Sequence, residues 1–226
     1  AVAHALNREE LVAFAGPNVS RASEAPVPIG YFGHHSGVEP LPYDLERSKA
    51  LLAEAGFPDG LTISVASSEI ASLSAPMQVI QAQLAKAGIT LDLEVMEHRS
   101  WHAAIRDDVS GMVLYGAARF PVADTYLTQF YHSDSIVNTP TGVTNFSHCD
   151  VADEQIVAAR SATDPAEQVR LWQEAQTLIV EEVCGIPLFE LLQVWVRSPE
   201  VAYSYELNGS IWGGPLIDET TTLASE

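Results

Sequence analysis

One arginine lies between two predicted elements in residues 115–127, which read YGAARFPVADTYL. Tyr115 is near the end of an apolar run typical of a buried strand, and Asp124 opens a segment with a helical pattern. Between them, Arg119 is one of 11 basic residues in a chain with 30 acidic ones. Its planar fork of N–H donors suits a carboxylate or phosphate, so Arg119 could capture an anionic group. The alternative is a surface ion pair with a neighbour such as Asp124.

Aromatic side chains lie close to this arginine in the sequence, namely Tyr115, Phe120 and Tyr126. Aromatic walls beside one oriented charge are typical of a cleft that holds a small solute. The sequence therefore favours a binding role for Arg119 and for these three rings.

Other patterns that suggest chemistry are weaker. His98 and His102 are four residues apart, a spacing used by metal sites on helices, but no third ligand is near and we predict no metal. His34 and His35 lie in an irregular stretch and are interpreted as a solvated loop. No GxSxG, SxxK, P-loop or HExxH motif occurs. We predict that the chain is not an enzyme and has no cofactor.

The charge of the chain limits its partners. A formal net charge of -19 at pH 7 repels phosphate backbones and anionic lipid headgroups. No apolar run approaches the roughly 20 residues of a membrane helix. We expect a small-molecule or peptide-like solute as the partner, no nucleic acid, and a monomer.

Alternating strands and helices would position the candidate residues. The patterns predict strands at 61–66, 89–95 and 111–117, with helices at 74–87 and about 100–107 between them. This order implies an α/β fold with a parallel sheet and right-handed crossovers. Ligands collect beyond the carboxyl ends of such strands, where Ser68, His98 and Arg119 each follow one strand. Ser68 and His98 are therefore further candidates for the site.

Helices and irregular segments make up the remainder. We predict helices at 2–15, from Asp44 to about 55, from Asp150 to about 162 and from Asp164 to about 182, an irregular stretch at 17–43, a long strand at 186–196, and a tail from Ser198. Because a short connection makes the last two helices antiparallel, Cys149 and Cys184 at their outer ends come close to each other. They form either a disulfide or two buried thiols.

Three segments carry a pattern found in one protein family. They are AVAHALNREELV at the start, YDLERSKALLAEAGFPDG at 43–60, and the run from NFSHCD to IPLF at 145–189. In this order they resemble the solute-binding proteins of bacterial ABC importers of the peptide/nickel type, extracellular solute-binding protein family 5. The resemblance covers nearly the whole chain.

This resemblance implies a type II periplasmic-binding-protein-like lobe, with a mixed, mostly parallel sheet flanked by helices. Residues 1–226 would be chiefly one lobe of a two-lobed receptor whose other lobe lies largely upstream. The stretch 17–43 would skirt the inter-lobe region, and 198–226 would be a tail. The whole protein would be periplasmic or extracellular, anchored as a lipoprotein, and would deliver its solute to an ABC permease.

The sequence departs from the family at one informative place. Peptide-binding members carry W-x-[AG]-D-Y after the third strand, and the Asp receives the ligand's ammonium group. Here the Trp aligns with Gly116, the Asp with Arg119 and the Tyr with Phe120. A base replaces the acidic anchor, which favours an anionic, metal-chelate or carbonyl-rich solute over an ordinary peptide. Asn145 matches the family's N-[YF] motif and is expected to offer an amide to the solute.

Two other functions remain open at this point. The same lobe could sense a ligand within a regulator, and a hydrolase is the alternative from a different class.

Overall fold

The computed structural model describes residues 1–204 and 217–223. Its α-helices are α1 (Val2–Ala5), α2 (Arg8–Ala15), α3 (Leu45–Glu54), α4 (Ala71–Lys86), α5 (His98–Arg106), α6 (Ala123–Tyr131), α7 (Asp153–Ser161) and α8 (Pro165–Glu181), with a 3₁₀ turn at Ser133–Ser135. Its strands are β1 (Ser20–Ala22), β2 (Leu61–Ser68), β3 (Ile89–Met96), β4 (Phe189–Leu191), β5 (Val201–Ala202) and β6 (Thr222–Leu223).

A parallel pair of strands forms the centre of the first half. β2 and β3 pair from Leu61 opposite Ile89 to Ser68 opposite Met96, with α4 as the crossover. The apolar face of α4 packs on the pair through Met77, Ile80 and Leu84, all buried. Both strands therefore end at one edge, as the alternating pattern predicted.

The predicted third strand is not formed, which corrects the expectation for 111–117. The N–H of Gly111 donates to the Ser64 carbonyl at 3.0 Å, but residues 113–120 are irregular. At Ala66, the next ladder position, the N–H donates to the Ser110 hydroxyl instead of a backbone carbonyl. Ser110 in turn donates to the carbonyl of Met112. A side chain thus replaces the backbone acceptor, and the segment follows the sheet without joining it.

The strand predicted at 186–196 is also much shorter. Only β4 forms, and it pairs antiparallel with β1 inside the stretch 17–43 that was expected to be irregular. The pairing is supported by Arg21, which contacts Glu190 at 2.6 Å. Single backbone hydrogen bonds extend the pairing at each end, from the Ser23 N–H to the Leu188 carbonyl and from the Leu192 N–H to the Val19 carbonyl. Since β1 is three residues long, the ladder goes no further along the predicted strand.

The N-terminal helix is divided in two. α1 ends at Ala5, and α2 starts after Asn7, whose side chain accepts a hydrogen bond from the Glu10 N–H. An N-cap at this position explains why a continuous helical pattern contains a break.

The second half is built on the antiparallel helices α7 and α8. Asp164 caps α8 by accepting from the Ala166 N–H, so the helix begins where the sequence predicted, and Pro165 occupies its first turn. By contrast, Asp150 does not cap α7, which begins at Asp153.

A disulfide joins Cys149 to Cys184 with Cα atoms 5.6 Å apart, so the pairing that the antiparallel arrangement allowed is present. The two cysteines pack with Ile156, Trp172 and Ile179 in a second apolar core.

The expected tail is described only in part. β5 and β6 pair antiparallel within it, while 205–216 and 224–226 lie outside the described residues. Among the described residues, every helix falls short of the length and apolar character that a membrane span needs.

Candidate functional site

An aromatic cluster lies near the carboxyl ends of β2 and β3, where it packs with Ala66 and Met96. We define it as Trp101, Tyr115, Phe130 and Phe146. The Trp101 ring stacks on Tyr115 at 6.0 Å, and Tyr115 contacts Phe130 at 5.8 Å and Phe146 at 5.2 Å. The Trp101 indole N–H donates to the Ala66 carbonyl at 3.2 Å, which ties the cluster to the sheet.

Arg119 lies against this cluster. Its guanidinium is 5.4 Å from the centre of the Phe130 ring, a distance at which the ring face attracts a cation. Its Nε donates to Gln129 Oε1 at 2.5 Å, and its Nη1 donates to the Ala118 carbonyl at 2.9 Å. These contacts fix the side chain on α6 and still leave N–H groups on the two terminal nitrogens.

No carboxylate neutralises Arg119 within the described part of the chain. The ion pairs formed by residues 1–204 and 217–223 do not include it. Asp124, the neighbour that the sequence offered as a surface partner, pairs instead with Arg160 at 3.2 Å. The half-buried guanidinium therefore keeps its charge available for another anion.

Tyr126, which the sequence offered as part of the wall of a cleft, supports the backbone of Arg119. Its side chain is buried, and its hydroxyl accepts from the Arg119 backbone N–H at 3.2 Å and donates to the Ala117 carbonyl at 3.5 Å. Burial raises the pKa of Tyr126 to about 12, so the hydroxyl stays protonated at neutral pH. Phe120, by contrast, is 60% exposed.

Ser68 and His98, the further candidates, contact each other. The Ser68 hydroxyl is 2.9 Å from His98 Nδ1 and also accepts from the Ile70 N–H. Ser68 is buried, so His98 is the member of the pair closer to solvent. The His98 ring stacks on Trp101 at 5.3 Å, which places it at the far end of the aromatic cluster from Arg119.

His102 completes this end of the cluster. Its ring centre is 4.5 Å from that of His98. Its Nδ1 is buried without a hydrogen-bond partner, and burial, then the charges of His98 and Arg106, lower the pKa of His102. Among residues 1–204 and 217–223, no three His, Cys, Asp or Glu side chains come together as ligands for a metal ion.

The side chain of Asn145, which the sequence offered as an amide for the solute, makes its hydrogen bonds within the fold. The residue is completely buried. Its amide nitrogen donates to the carbonyls of His132 and Cys149, and its oxygen accepts from the Cys149 N–H and the Ser147 hydroxyl. All four hydrogen-bonding positions of the side chain are occupied.

Sequence reasoning missed the roles of Gln129, Phe130 and Phe146. Gln129 lies on α6, ten positions from the arginine that it contacts. No short-range pattern links an irregular segment to a helix in this way.

Solved structures with this architecture are type II periplasmic binding proteins. MoaA in complex with mannopinic acid, from A. tumefaciens R10, is 50% identical with a TM-score of 0.84 over 99% of this chain and 45% of that chain. DppA from Helicobacter pylori in complex with the peptide STSA has a TM-score of 0.75 at 23% identity, over 83% of this chain and 37% of that chain. The chain therefore has the fold of a lobe from this class.

A sequence profile described as bacterial extracellular solute-binding proteins, family 5 Middle, matches residues 1–138. The chain is 32% identical to the glutathione-binding protein GsiB of Salmonella choleraesuis (strain SC-B67) over 91% of its length and 43% of that protein. It is 30% identical to the di/tripeptide-binding protein 2 of Pseudomonas aeruginosa (strain UCBPP-PA14), over 83% of its length and 36% of that protein. The chain belongs to the bacterial extracellular solute-binding proteins, family 5. It spans less than half the length of these relatives.

Proposed function

We propose that this chain is one lobe of the solute-binding protein of an ABC importer. The full-length protein would bind a small polar organic acid between two lobes and deliver it to a permease. The observation that carries this proposal is the guanidinium of Arg119, held beside an aromatic cluster with no carboxylate partner among the described residues. A cleft with aromatic walls and one oriented charge suits such a solute.

The relatives support an acid as the solute. MoaA was solved with mannopinic acid, and GsiB is a glutathione-binding protein. Both compounds carry carboxylates. In the family pattern that the sequence resembles, Arg119 takes the place of the acidic residue expected to receive a peptide's ammonium group, which favours an organic acid over an ordinary peptide.

The other features of the proposal follow from the family. We infer a monomer without catalytic activity, exported as a periplasmic or lipid-anchored protein. Residues 1–226 would form a single lobe, with 17–43 near the inter-lobe region and the segment from Ser198 as a tail. Ser68 and His98 do not support a hydrolase, because Ser68 is 1% exposed and its hydroxyl cannot reach a substrate.

A binding screen of the full-length protein tests the proposal. Mannopinic acid, glutathione and a set of di- and tripeptides would be compared by thermal shift and then by calorimetry. We expect an acid from this panel to bind the wild type and Arg119→Ala to weaken it by about tenfold to a hundredfold, because charged hydrogen bonds are lost.

Arg47→Ala is the matched control. Arg47 is an exposed arginine on α3 that pairs with Glu54 at 3.0 Å, far along the chain from the cluster. The substitution Arg47→Ala should leave the affinity for the bound acid unchanged. If Arg119→Ala leaves the affinity of the bound acid within a factor of two, Arg119 is an ordinary surface charge and the proposal loses its main support.

A further inference from the structure

Arg119 is held in one orientation by contacts on several sides. The guanidinium lies over the Phe130 ring, and the Tyr126 hydroxyl accepts from the backbone N–H of the arginine. Gln129 accepts a hydrogen bond from Nε, and the Ala118 carbonyl accepts one from Nη1. An arginine on a surface rarely has so many of its degrees of freedom removed, and holding it this way costs side-chain entropy. Such an arrangement favours recognition of a group with a defined geometry.

The partners of the guanidinium decide which of its edges stays open. It has five N–H groups, and those of Nε and one on Nη1 have partners. Since the Nε–H is bound by Gln129, the outer edge between the two terminal nitrogens is the edge left to present two parallel N–H groups, and three of the four N–H groups on these nitrogens have no partner among the described residues. Two parallel N–H groups on one edge match the two oxygens of a carboxylate.

The orientation of the Gln129 amide follows from the same contact. Arginine can only donate, so the atom that faces Nε must be the amide oxygen. The amide nitrogen of Gln129 then has no hydrogen-bond partner among the described residues. The backbone of Gln129 is fixed separately, because its carbonyl accepts from the Thr144 hydroxyl at 2.6 Å.

We propose that Gln129 is a positioning residue that directs the outer edge of Arg119 at a carboxylate of the solute, so that the site selects carboxylic acids over the corresponding amides. The inference rests on the proposed function and narrows its substrate class. A carboxylate accepts both outer N–H groups, whereas a carboxamide offers one oxygen and turns an N–H toward the guanidinium. Lysine at position 119 would supply the charge without the fork.

The test measures the affinity of the full-length protein, by calorimetry, for mannopinic acid and glutathione and for their carboxamide derivatives. The variants are Gln129→Glu, Gln129→Leu and Arg119→Lys. Gln129→Glu has nearly the same shape but places a carboxylate on Nε. We expect it to lower the affinity for the bound acid by about tenfold to a hundredfold, with a much smaller effect on the amide. The preference for acid over amide should fall in all three variants.

Gln173→Glu is the matched control. Gln173 lies on α8, where its amide nitrogen donates to the His34 carbonyl at 3.2 Å. The substitution Gln173→Glu introduces the same change of charge away from Arg119, and it should leave the preference for acid over amide unchanged.

Three outcomes would overturn the inference. In the first, Gln129→Glu and Gln129→Leu keep the wild-type acid preference. In the second, acid and amide affinities fall together, which would make Gln129 a structural residue only. In both cases the proposed function stands if the wild type binds the acid. A wild type that binds no member of the panel overturns the proposed function and this inference with it. If a Gln129 variant fails to fold, Arg119→Lys still decides whether the fork is needed.

Discussion

Single residues show how the site is held. Arg119 depends on Gln129 and Phe130 from α6, so the position of this helix sets the position of the charge. The helix is in turn packed against the long irregular stretch at Gly33. A Cβ there would lie 2.7 Å from the Cβ of Ala123 and 2.7 Å from the Trp172 ring. The carbonyl of Gly33 also accepts from the buried Gln176 amide at 2.8 Å.

Substitution of Gly33 is therefore expected to disturb the N-terminal end of α6. Gly33 has φ +87°, and so does Gly30, but a Cβ at Gly30 would meet nothing within 4 Å. We expect Gly30→Ala to cost about 1–2 kcal/mol of unfolding free energy from backbone strain alone. Gly33→Ala should cost about 1–3 kcal/mol more because of overpacking. Urea unfolding of the full-length protein measures both, and equal costs for the two variants would contradict this packing.

At the scale of elements, the disulfide closes the α7 and α8 pair. It links residues 35 positions apart in the sequence and lies in the second apolar core. The segment between α6 and α7 also carries Asn145, whose side-chain amide bonds to both the carbonyl and the N–H of Cys149. The bond and the amide together fix the segment that connects α6 to α7.

Removal of this disulfide should destabilise the full-length protein. Cys149→Ala with Cys184→Ala is expected to lower the free energy of unfolding by about 2–4 kcal/mol, because the unfolded chain gains conformational freedom. Urea unfolding with and without a reductant measures the effect. The reductant should shift the wild type and leave the double variant unchanged. A wild type insensitive to complete reduction would show that the bond contributes nothing.

Local signals predicted the elements that depend on local chemistry. Asp44 caps α3, Gly56 has φ +90° after it, and Asp164 with Pro165 starts α8. The errors at 111–117 and 186–196 concern strands, which need a partner far along the chain. The competing hydroxyl of Ser110 and the shortness of β1 decided those outcomes, and neither is visible in the apolar pattern.

The candidate site, like the fold, was predictable only in part. Arg119 could be found because its place follows from the order of strands and helices. Gln129 could not, since its contact depends on how an irregular segment crosses α6. Asn145 was recognised from a family motif, but a motif does not separate a residue that binds a ligand from one that closes a loop.

At the scale of the whole molecule, the chain has large apolar side chains exposed at the end of β4 and after it. Leu191, Val194, Trp195 and Val196 are each at least about half exposed. Exposed apolar surface of this kind is typical of a region that contacts another part of a protein. Since the chain spans 43% of GsiB and 45% of the MoaA structure, a second lobe is the partner that our proposal requires.

The most direct test of the account compares the full-length protein with residues 1–226 alone. Calorimetry would use the acid identified in the solute screen, and circular dichroism would verify that the isolated chain is folded. Closure of two lobes buries the solute, and one lobe supplies only part of the contacts. We predict that the folded isolated chain binds at least about a hundredfold more weakly than the full-length protein. Equal, micromolar binding by the isolated chain would contradict a site shared between two lobes.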